Sequence, residues 1–344
     1  MSRNSRRQKA LEFMDRLGVG AIVLKSPANF AWYTGGANNR VNYSAPLGVA
    51  LVLLTPDDEF VVTNNIEFER MREEQVQDME VVQHPWYEGA EALIRNLSEG
   101  RTLGADFAME GARNISSDIA PLRHVLDAEA TRQYGQVGKR TAEAIREAAE
   151  FLRPGMDERE AEASLVYCCT RRGLSVPVAL VAADERIARY RHPVSHGEKP
   201  HRRIMLAVSA EQYGLHASLT HFVHFEKPGE KFERRQAACE GILSRMREEA
   251  TKPGRSLAEA FADCRGFYAD AGFPDEWRLH HQGGIAGYTS REVIASPQTP
   301  QSIEEGQAFA WNPSITGAKA EETFVLTGEG PEVVGSVSDA EAAG

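Results

Sequence analysis

Short apolar runs alternate with amphipathic segments over the first third of the chain. Residues 7–17 and 66–73 have the apolar spacing of helices. Consecutive apolar residues, which predict strands, lie between them at residues 21–24, 49–55 and 60–63. Short helices and strands in alternation predict a small α/β domain, to which we assign residues 1–127.

The remainder of the chain combines longer helical patterns with strands. A helix predicted up to residue 152 is stopped by Pro154 and Gly155. Asp157 and Ser256 are each followed three residues later by Glu, a capping-box spacing that predicts two further helix starts. Strand-like spacing recurs at residues 204–209, 214–225 and 307–312. Helices flanking a mostly antiparallel set of strands predict an α+β domain over residues 128–335, and residues 336–344 are predicted to be a disordered tail.

Composition narrows the class of protein. The 344 residues include 39 basic and 50 acidic side chains, a net charge of −11, without a concentrated stripe of Lys and Arg. We therefore expect no nucleic-acid partner. No apolar run approaches the ~20 residues that cross a bilayer, so we expect no membrane association. The four cysteines form neither a disulfide framework nor a CxxC metal motif, and we expect a soluble, cytoplasmic protein.

Five segments rich in His, Gly and polar residues follow one another in the second domain. They are residues 191–193 (Arg-His-Pro), 213–223, 280–288 (His-His-Gln-Gly-Gly-Ile-Ala-Gly-Tyr), 305–313 and 320–327. With the loop predicted at residues 29–40, this order resembles the creatinase/Xaa-Pro aminopeptidase family over residues 5–330. The resemblance implies an α+β fold, with a C-terminal pita-bread domain of the methionine aminopeptidase type preceded by a smaller α/β creatinase-type N-terminal domain.

The same resemblance implies where a two-metal site would lie. The five ligand positions are occupied by Ala207, Ser218, His281, Asn312 and Glu321. Two divalent ions bring four positive charges, which one carboxylate cannot offset, and alanine has no donor atom. Neutral Ser and Asn oxygens bind such ions weakly. We therefore expect no metal and no other cofactor, with a single ion held by His216 or His221 as the alternative.

Loss of the metals points to the metal-independent branch of the family, typified by creatinase, which hydrolyses a C–N bond of a small guanidino compound. Those members use a histidine that precedes the first lost aspartate, and His192 occupies that position. An imidazole with an ordinary pKa near ~6.5 can accept and return a proton at neutral pH. His192 is the predicted general acid/base. The structural alternative is a histidine that caps the turn before Pro193.

Glu321 and His281 complete the predicted catalytic set. Without metals the Glu321 carboxylate must be protonated, pair with a protonated histidine or bind a cationic group of the substrate. We expect the third, with Asn312 orienting an amidinium, ammonium or urea-like nitrogen; a surface-facing Glu321 is the alternative. His281 is predicted to carry a proton or donate a hydrogen bond, whereas the adjacent His280 is expected to point away.

Further residues are predicted to bind substrate. His216, Ser218 and Thr220 share one parity along a strand and are expected to face the pocket. Tyr288 takes the place of a histidine of the peptidases, and its phenol would donate a hydrogen bond without titrating near neutral pH. Trp311 either fills the volume left by the metals or is a core residue.

Creatinase-type members are dimers in which the N-terminal domain covers the partner's pocket. By that resemblance we expect a homodimer in which Arg40 recognises a substrate carboxylate. A solvated loop arginine is the alternative, and no pattern in the sequence establishes the dimer.

Three functions are compatible with these residues. The leading hypothesis is a metal-independent, creatinase-like hydrolase that cleaves a C–N bond of a small polar substrate by histidine acid/base catalysis. The second is a divergent Xaa-Pro dipeptidase or aminopeptidase with a mononuclear metal. The third is a non-catalytic binding protein, because the fold also occurs in histone chaperones. The residue types neither identify the substrate nor separate hydrolysis from elimination.

Overall fold

The computed structural model describes residues 3–337, so residues 338–344 of the predicted tail lie outside the described residues. The chain divides into two compact units, Met1–Ala130 and Thr131–Gly344. No helix in the described part of the chain is both long enough and apolar enough to cross a bilayer.

A six-stranded mixed sheet organises the first unit, in the spatial order β4-β3-β2-β1-β5-β6. Strand β2 is antiparallel to both neighbours, and the pairs β3–β4, β1–β5 and β5–β6 are parallel. The strands are β1 (Ala21–Leu24), β2 (Ala50–Leu54), β3 (Glu59–Asn64), β4 (Glu80–His84), β5 (Leu103–Ala105) and β6 (Ala112–Asn114). Every residue of β1 and β2 is buried, as their unbroken apolar runs predict.

Five helices surround this sheet. They are α1 (Arg3–Leu17), α2 (Pro27–Thr34), α3 (Phe68–Arg70), α4 (Glu91–Leu97) and α5 (Ser116–Ile119). The sequence prediction of a loop from residue 29 onward is wrong for the part that continues α2. The reason is local, because Ser26 caps the helix, proline occupies its first turn, and Gly35 ends it in the left-handed conformation at φ 81°.

Five further α-helices follow in the described part of the chain, almost entirely within the second unit. They are α6 (Ala128–Phe151), α7 (Glu158–Thr170), α8 (Glu185–Arg189), α9 (Glu230–Arg245) and α10 (Leu257–Asp270). Both predicted capping boxes form. Asp157 and Ser256 accept hydrogen bonds from the backbone N–H of Glu160 and Glu259, whose side chains bond back to the caps.

Three antiparallel sheets lie among these helices. A three-stranded sheet contains β7 (Ser175–Ala183), β8 (Arg203–Gln212) and β9 (Leu215–His224). A five-stranded sheet has the order β11-β10-β12-β15-β16, and a two-stranded sheet pairs β13 with β14. Their bounds are β10 (Gly283–Ala286), β11 (Val293–Ile294), β12 (Ala308–Trp311), β13 (Ser314–Ile315), β14 (Ala318–Lys319), β15 (Glu322–Thr327) and β16 (Gly330–Gly335).

Apolar residues of α9, α10 and the five-stranded sheet form one core. Phe309, Trp311 and Phe324 of the sheet are fully buried in it together with Cys264 and Tyr268 of α10. This core holds one face of the sheet rigidly, which fixes the loops that carry the polar residues described below.

Candidate active site

The hairpin of β8 and β9 carries the first two positions at which the resemblance implies metal ligands. Ala207 pairs with Thr220, and Ser209 with Ser218. The Ser218 Oγ lies 3.3 Å from the Ser209 Oγ and accepts a 3.2 Å hydrogen bond from Arg291. A methyl group and a hydroxyl provide no negative charge for a divalent ion.

Glu321 lies between two cationic side chains. Its Oε2 is 2.8 Å from Lys319 Nζ, and its Oε1 is 2.9 Å from a guanidinium nitrogen of Arg291. The Thr220 hydroxyl donates a further hydrogen bond of 2.8 Å to Oε2. The three charged side chains are each no more than 10% exposed. At a position where the resemblance implies metal ions, the positive charge is therefore supplied by side chains.

These contacts keep the Glu321 carboxyl ionised. Burial by itself raises the pKa of Glu321, but the charges of Lys319 and Arg291 and the hydrogen bonds from Lys319 and Thr220 lower it to about 2. Two cations and one carboxylate leave this buried group with an excess of one positive charge.

Three histidines lie together beside this group, and we call them the three-histidine cluster: His192, His280 and His281. The Nε2 atoms of His192 and His280 are 2.9 Å apart. The ring centroids of His281 lie 4.5 Å from His280 and 5.7 Å from His192. One nitrogen from each ring lies within 4.8 Å of the other two. Two separate stretches of the sequence, one carrying His192 and one carrying His280 and His281, thus converge on one point.

The environment keeps these imidazoles neutral near pH 7. Burial, followed by the charge of Lys319, lowers the pKa of His280 to about 2. Burial and the charge of Arg291 lower the pKa of His281 to about 4. The pKa of His192, the most exposed of the three, is lowered by burial and by Lys319. Neutral imidazole can accept a proton or bind a metal ion.

Arg191 anchors the loop that carries His192. Its guanidinium donates hydrogen bonds of 2.6 Å to Glu276 and 3.1 Å to the Thr316 hydroxyl. Glu276 also accepts from the backbone N–H of Thr316 at 2.9 Å. The Arg-His-Pro segment is therefore fixed by its arginine, which leaves the histidine exposed at the cavity.

Two glycines, Gly283 and Gly284, determine the backbone conformation shortly after His280 and His281. Gly283 and Gly284 have φ values of 108° and 153°, in the region that favours glycine. A Cβ at Gly283 would lie 2.0 Å from the Ala310 carbonyl oxygen, and one at Gly284 would lie 2.1 Å from the Val293 carbonyl oxygen. Only glycine allows β10 to pair closely with β11 and β12 here.

A cavity of about 360 Å³ joins the Glu321 group to the three-histidine cluster. Residues of both groups line it: His192, His281, Arg291, Lys319 and Glu321, with Asn312 and Ser218 between them. Asn312 Oδ1 and His281 Nδ1 are buried and have no hydrogen-bond partner among the described residues. A buried polar atom without a partner is costly, and both residues line the cavity in which a ligand could satisfy these atoms.

A larger cavity of about 610 Å³ follows β9 and α9. Thr220 and Glu321 line it as well, but none of the three histidines does. Arg247 and Glu322, which line it, form an ion pair with each other. We therefore place the chemistry in the smaller cavity.

The predicted site residues divide into two sets. His192, His281, Glu321, Asn312 and Ser218 line the smaller cavity, and Thr220 bonds to Glu321. Three others are buried and line neither cavity: His216, Tyr288 and Trp311. Trp311 belongs to the core, where its Nε1 donates a 3.0 Å hydrogen bond to Thr251. Arg40, in the first unit, lies 5.8 Å from the ring centroid of Tyr43, and its role in substrate binding stays a prediction.

Two expectations were wrong. His280 does not point away from the cluster, because His280 and His281 lie before the start of β10 and not within a regular strand. Glu321 does not wait for a cationic substrate, because Lys319 and Arg291 already neutralise it. The histidines that converge are also not His216 or His221.

Sequence reasoning missed Lys319 and Arg291. Lys319 precedes Glu321 by two residues, a spacing that places both side chains on one face of an extended segment. This spacing could have been used to predict that Lys319 lies beside Glu321. Arg291 lies in the loop between β10 and β11, and no periodicity predicts where a loop side chain points.

The sequence matches two known families. Residues 132–328 match metallopeptidase family M24, and residues 6–127 match the creatinase/prolidase N-terminal domain. The first match covers more than half of the chain, so the protein belongs to metallopeptidase family M24. The creatinase/Xaa-Pro aminopeptidase resemblance and the predicted fold class are confirmed.

Individual relatives agree with this assignment. An Xaa-Pro dipeptidase of Pyrococcus horikoshii is 23% identical over 352 residues, covering 95% of each chain. The prolidase structure from Pyrococcus horikoshii OT3 has a TM-score of 0.81 at 19% identity, covering 98% of this chain and 99% of that one. The N-terminal domain of FACT complex subunit SPT16 from Cicer arietinum has a TM-score of 0.65 at 14% identity, covering 98% and 97%. At such identities the structures show the fold alone.

Membership of this family limits the classes of reaction that the protein is expected to catalyse. Hydrolysis of C–N bonds, the predicted class of reaction, is confirmed at that level. The comparisons do not support metal-independent catalysis, because the family is one of metallopeptidases. They favour the second hypothesis, a metal-dependent hydrolase of the Xaa-Pro dipeptidase type, over the first.

The two-ion arrangement of the family does not fit this chain. Of the five positions that the resemblance implies, His281 and Glu321 have a donor of the expected type, and Glu321 is paired with two cations. A divalent ion there would meet Lys319 and Arg291 at close range without a free carboxylate. Within the part of the chain that the structure describes, His192, His280 and His281 are the group of potential ligands close enough together to hold one ion, and their neutral nitrogens are suitable ligands.

Proposed function

We propose that the protein hydrolyses the amide bond of a small peptide, with Xaa-Pro dipeptides as the first substrates to test. The observation that carries this proposal is the buried Lys319–Glu321–Arg291 group beside a cluster of neutral histidines. Amide hydrolysis needs an activated water and a positive charge for the oxyanion of the tetrahedral intermediate. The cavity provides residues for both.

Lys319 and Arg291 are the groups that would stabilise the oxyanion. Both are held in place by Glu321, and the excess positive charge is shielded from water. A preorganised charge in a dry cavity stabilises developing negative charge more strongly than a solvated one. The two side chains therefore take over the electrostatic role that the family assigns to its pair of ions.

Asn312 and the cavity size support a small substrate. The unpartnered Asn312 Oδ1 is suited to accept an N–H or ammonium group from the substrate. A volume of about 360 Å³ accommodates a dipeptide but not an extended chain. The choice of an Xaa-Pro dipeptide rests on the relative from Pyrococcus horikoshii.

Water activation is assigned to the three-histidine cluster. All three imidazoles are uncharged near pH 7, and His192 is the member most open to solvent. An ion bound there would act as a Lewis acid and lower the pKa of a bound water. The protein's own contribution is to hold the three rings at the cavity and to keep them neutral.

Release of free proline from Ala-Pro and Leu-Pro, compared with Ala-Ala, tests the proposal. We expect hydrolysis of the proline dipeptides, and a loss of about 10²–10³ in kcat for Lys319→Met. Lys252→Met, which changes an exposed lysine, is the matched control and should keep full activity. Absence of any dipeptide hydrolysis, with and without added zinc, would reject the proposal and leave a binding role as the explanation of the cavity.

A second candidate is the metal-independent hydrolase with His192 as the general base. The hydrogen bond between His192 and His280 favours it, because that contact orients the imidazole without an ion. Activity against creatine-like compounds that persists after dialysis against a chelator would support this candidate. Loss of all activity on chelation, restored by zinc, would exclude it.

We also propose a cytoplasmic homodimer. The family resemblance supports the dimer, and four free, buried thiols support a reducing compartment. Light scattering of the purified protein should give the mass of two chains, and the mass of one chain would contradict the dimer.

A further inference from the structure

The contacts of the three-histidine cluster leave its ligating capacity largely unused. Each neutral imidazole has one donor and one acceptor nitrogen. Only the His192–His280 contact joins two of the rings by a hydrogen bond, and His281 Nδ1 is buried without a partner among the described residues. Three convergent imidazoles with an unpartnered buried nitrogen form the donor set that a transition-metal ion requires.

The spacing of the rings suits one ion. Two nitrogens bound to a tetrahedral zinc at ~2.0–2.1 Å lie about 3.3 Å apart. The Nε2 atoms of His192 and His280 are 2.9 Å apart, so a small rotation of the exposed His192 ring would admit the ion. The nitrogen of His281 is within 4.8 Å of both, and its side chain needs a similar adjustment.

A network of hydrogen bonds holds His280 in the orientation that a ligand needs. Its Nδ1 is 3.3 Å from the Ser314 hydroxyl, which leaves Nε2 directed at the cluster. The Tyr268 hydroxyl donates to Gln282 at 2.6 Å and accepts from the Ser314 backbone N–H at 2.8 Å. Gln282 in turn donates to the His280 carbonyl. Histidines that ligate metals are characteristically fixed through their second nitrogen in this way.

We propose that His192, His280 and His281 bind a single divalent transition-metal ion of the zinc type, with a fourth position open to the 360 Å³ cavity. Three nitrogen ligands select zinc, cobalt or nickel over magnesium or calcium, which prefer oxygen. This set of residues differs from the two-metal site that the resemblance implies, with which it shares His281.

The role of this ion in catalysis rests on the proposed function, but its binding does not. The charges of Lys319 and Arg291 weaken binding of the ion, since both repel a cation. We therefore expect an affinity below that of structural zinc sites.

Calorimetric titration of metal-free protein with Zn²⁺, and the visible absorption of Co²⁺, test the proposal. We expect one ion per chain and a four-coordinate cobalt spectrum. His280→Ala and His192→Ala should each weaken Zn²⁺ binding about tenfold or more. His201→Ala removes an exposed histidine outside the cluster and is the matched control, expected to bind as the parent does.

The outcomes separate this proposal from the proposed function. No binding of Zn²⁺ or Co²⁺ by the parent protein, or equal weakening in His201→Ala, would overturn it. Circular dichroism shows whether each variant folds. If His280→Ala does not fold, His192→Ala still tests metal binding, because His192 is exposed. Dipeptide hydrolysis without metal binding would reject the proposed metal site and support the proposed function. One bound ion without hydrolysis would support the metal site and reject the proposed function.

Discussion

Lys319 Nζ lies 2.8 Å from Glu321 Oε2, both side chains being 7% exposed. At a position where the family resemblance implies a metal ligand, a lysine ammonium is thus paired with the carboxylate. Arg291 occupies the other oxygen at 2.9 Å. Buried charges persist only when they are compensated, so the loss of acidic ligands and the presence of these two cations are parts of one electrostatic arrangement.

Glu321→Gln should destabilise the protein strongly. The substitution leaves two buried cations without a counter-charge, which costs about 3–5 kcal/mol of the free energy of unfolding. Urea denaturation at pH 7 measures it. Glu329→Gln, at an exposed position, is the matched control and should change stability by less than about 0.5 kcal/mol. A small effect at position 321 would show that the pair is solvated in solution.

The same carboxylate predicts a pH dependence of stability. The pKa of Glu321 is lowered from 4.5 to about 2 in the folded protein, so the unfolded chain binds a proton more readily and stability rises with pH. The contribution, on the order of 3 kcal/mol, is complete above pH 4.5 and is lost as the pH falls through the folded value. The stability difference between parent and Glu321→Gln should therefore shrink between pH 5 and pH 2.5. An unchanged difference over that range would contradict the assignment.

Much of the fold follows from local signals. Unbroken apolar runs predict the buried strands β1 and β2, and the capping boxes at Asp157 and Ser256 form as predicted. These features depend on residues close in sequence, which is why spacing alone indicates them. The continuation of α2 past residue 29 was not predicted, because the aromatic and glycine residues there are typical of a loop. Ser26 and Pro27, which are typical of a helix start, were given less weight.

The arrangement of the site was harder to predict from the sequence than the fold. The resemblance identified His192, His281 and Glu321 by position, but the state of Glu321 depends on Arg291, thirty residues away in a loop. His280 was misassigned because neighbouring residues alternate only in a regular strand, and His280 and His281 precede β10, which begins at Gly283. Contacts between distant loops are set by tertiary packing, which one sequence does not encode in any periodic pattern.

Gly283→Ala should be severely destabilising. The added Cβ would lie 2.0 Å from the Ala310 carbonyl oxygen, at a φ of 108° that alanine rarely adopts. Backbone must move to relieve that contact, so we expect a loss of about 3 kcal/mol or more in the free energy of unfolding. Gly241→Ala is the matched control, because a Cβ there has open space within helix α9 and should stabilise by up to about 1 kcal/mol. Equal stability of both variants would show that β10 and β12 are not paired this closely.

His192→Ala should separate chemistry from stability. The side chain is exposed, and its removal is expected to change the free energy of unfolding by less than about 0.5 kcal/mol. As a member of the three-histidine cluster it should nevertheless lower kcat/KM for the dipeptide about 10²-fold or more, because activation of water contributes that much. His201→Ala serves as the control for removing an exposed imidazole. Unchanged kcat/KM in His192→Ala would show that the three-histidine cluster takes no part in the reaction. The Lys319–Glu321–Arg291 group could not then activate a water by itself, because each of its members is already paired.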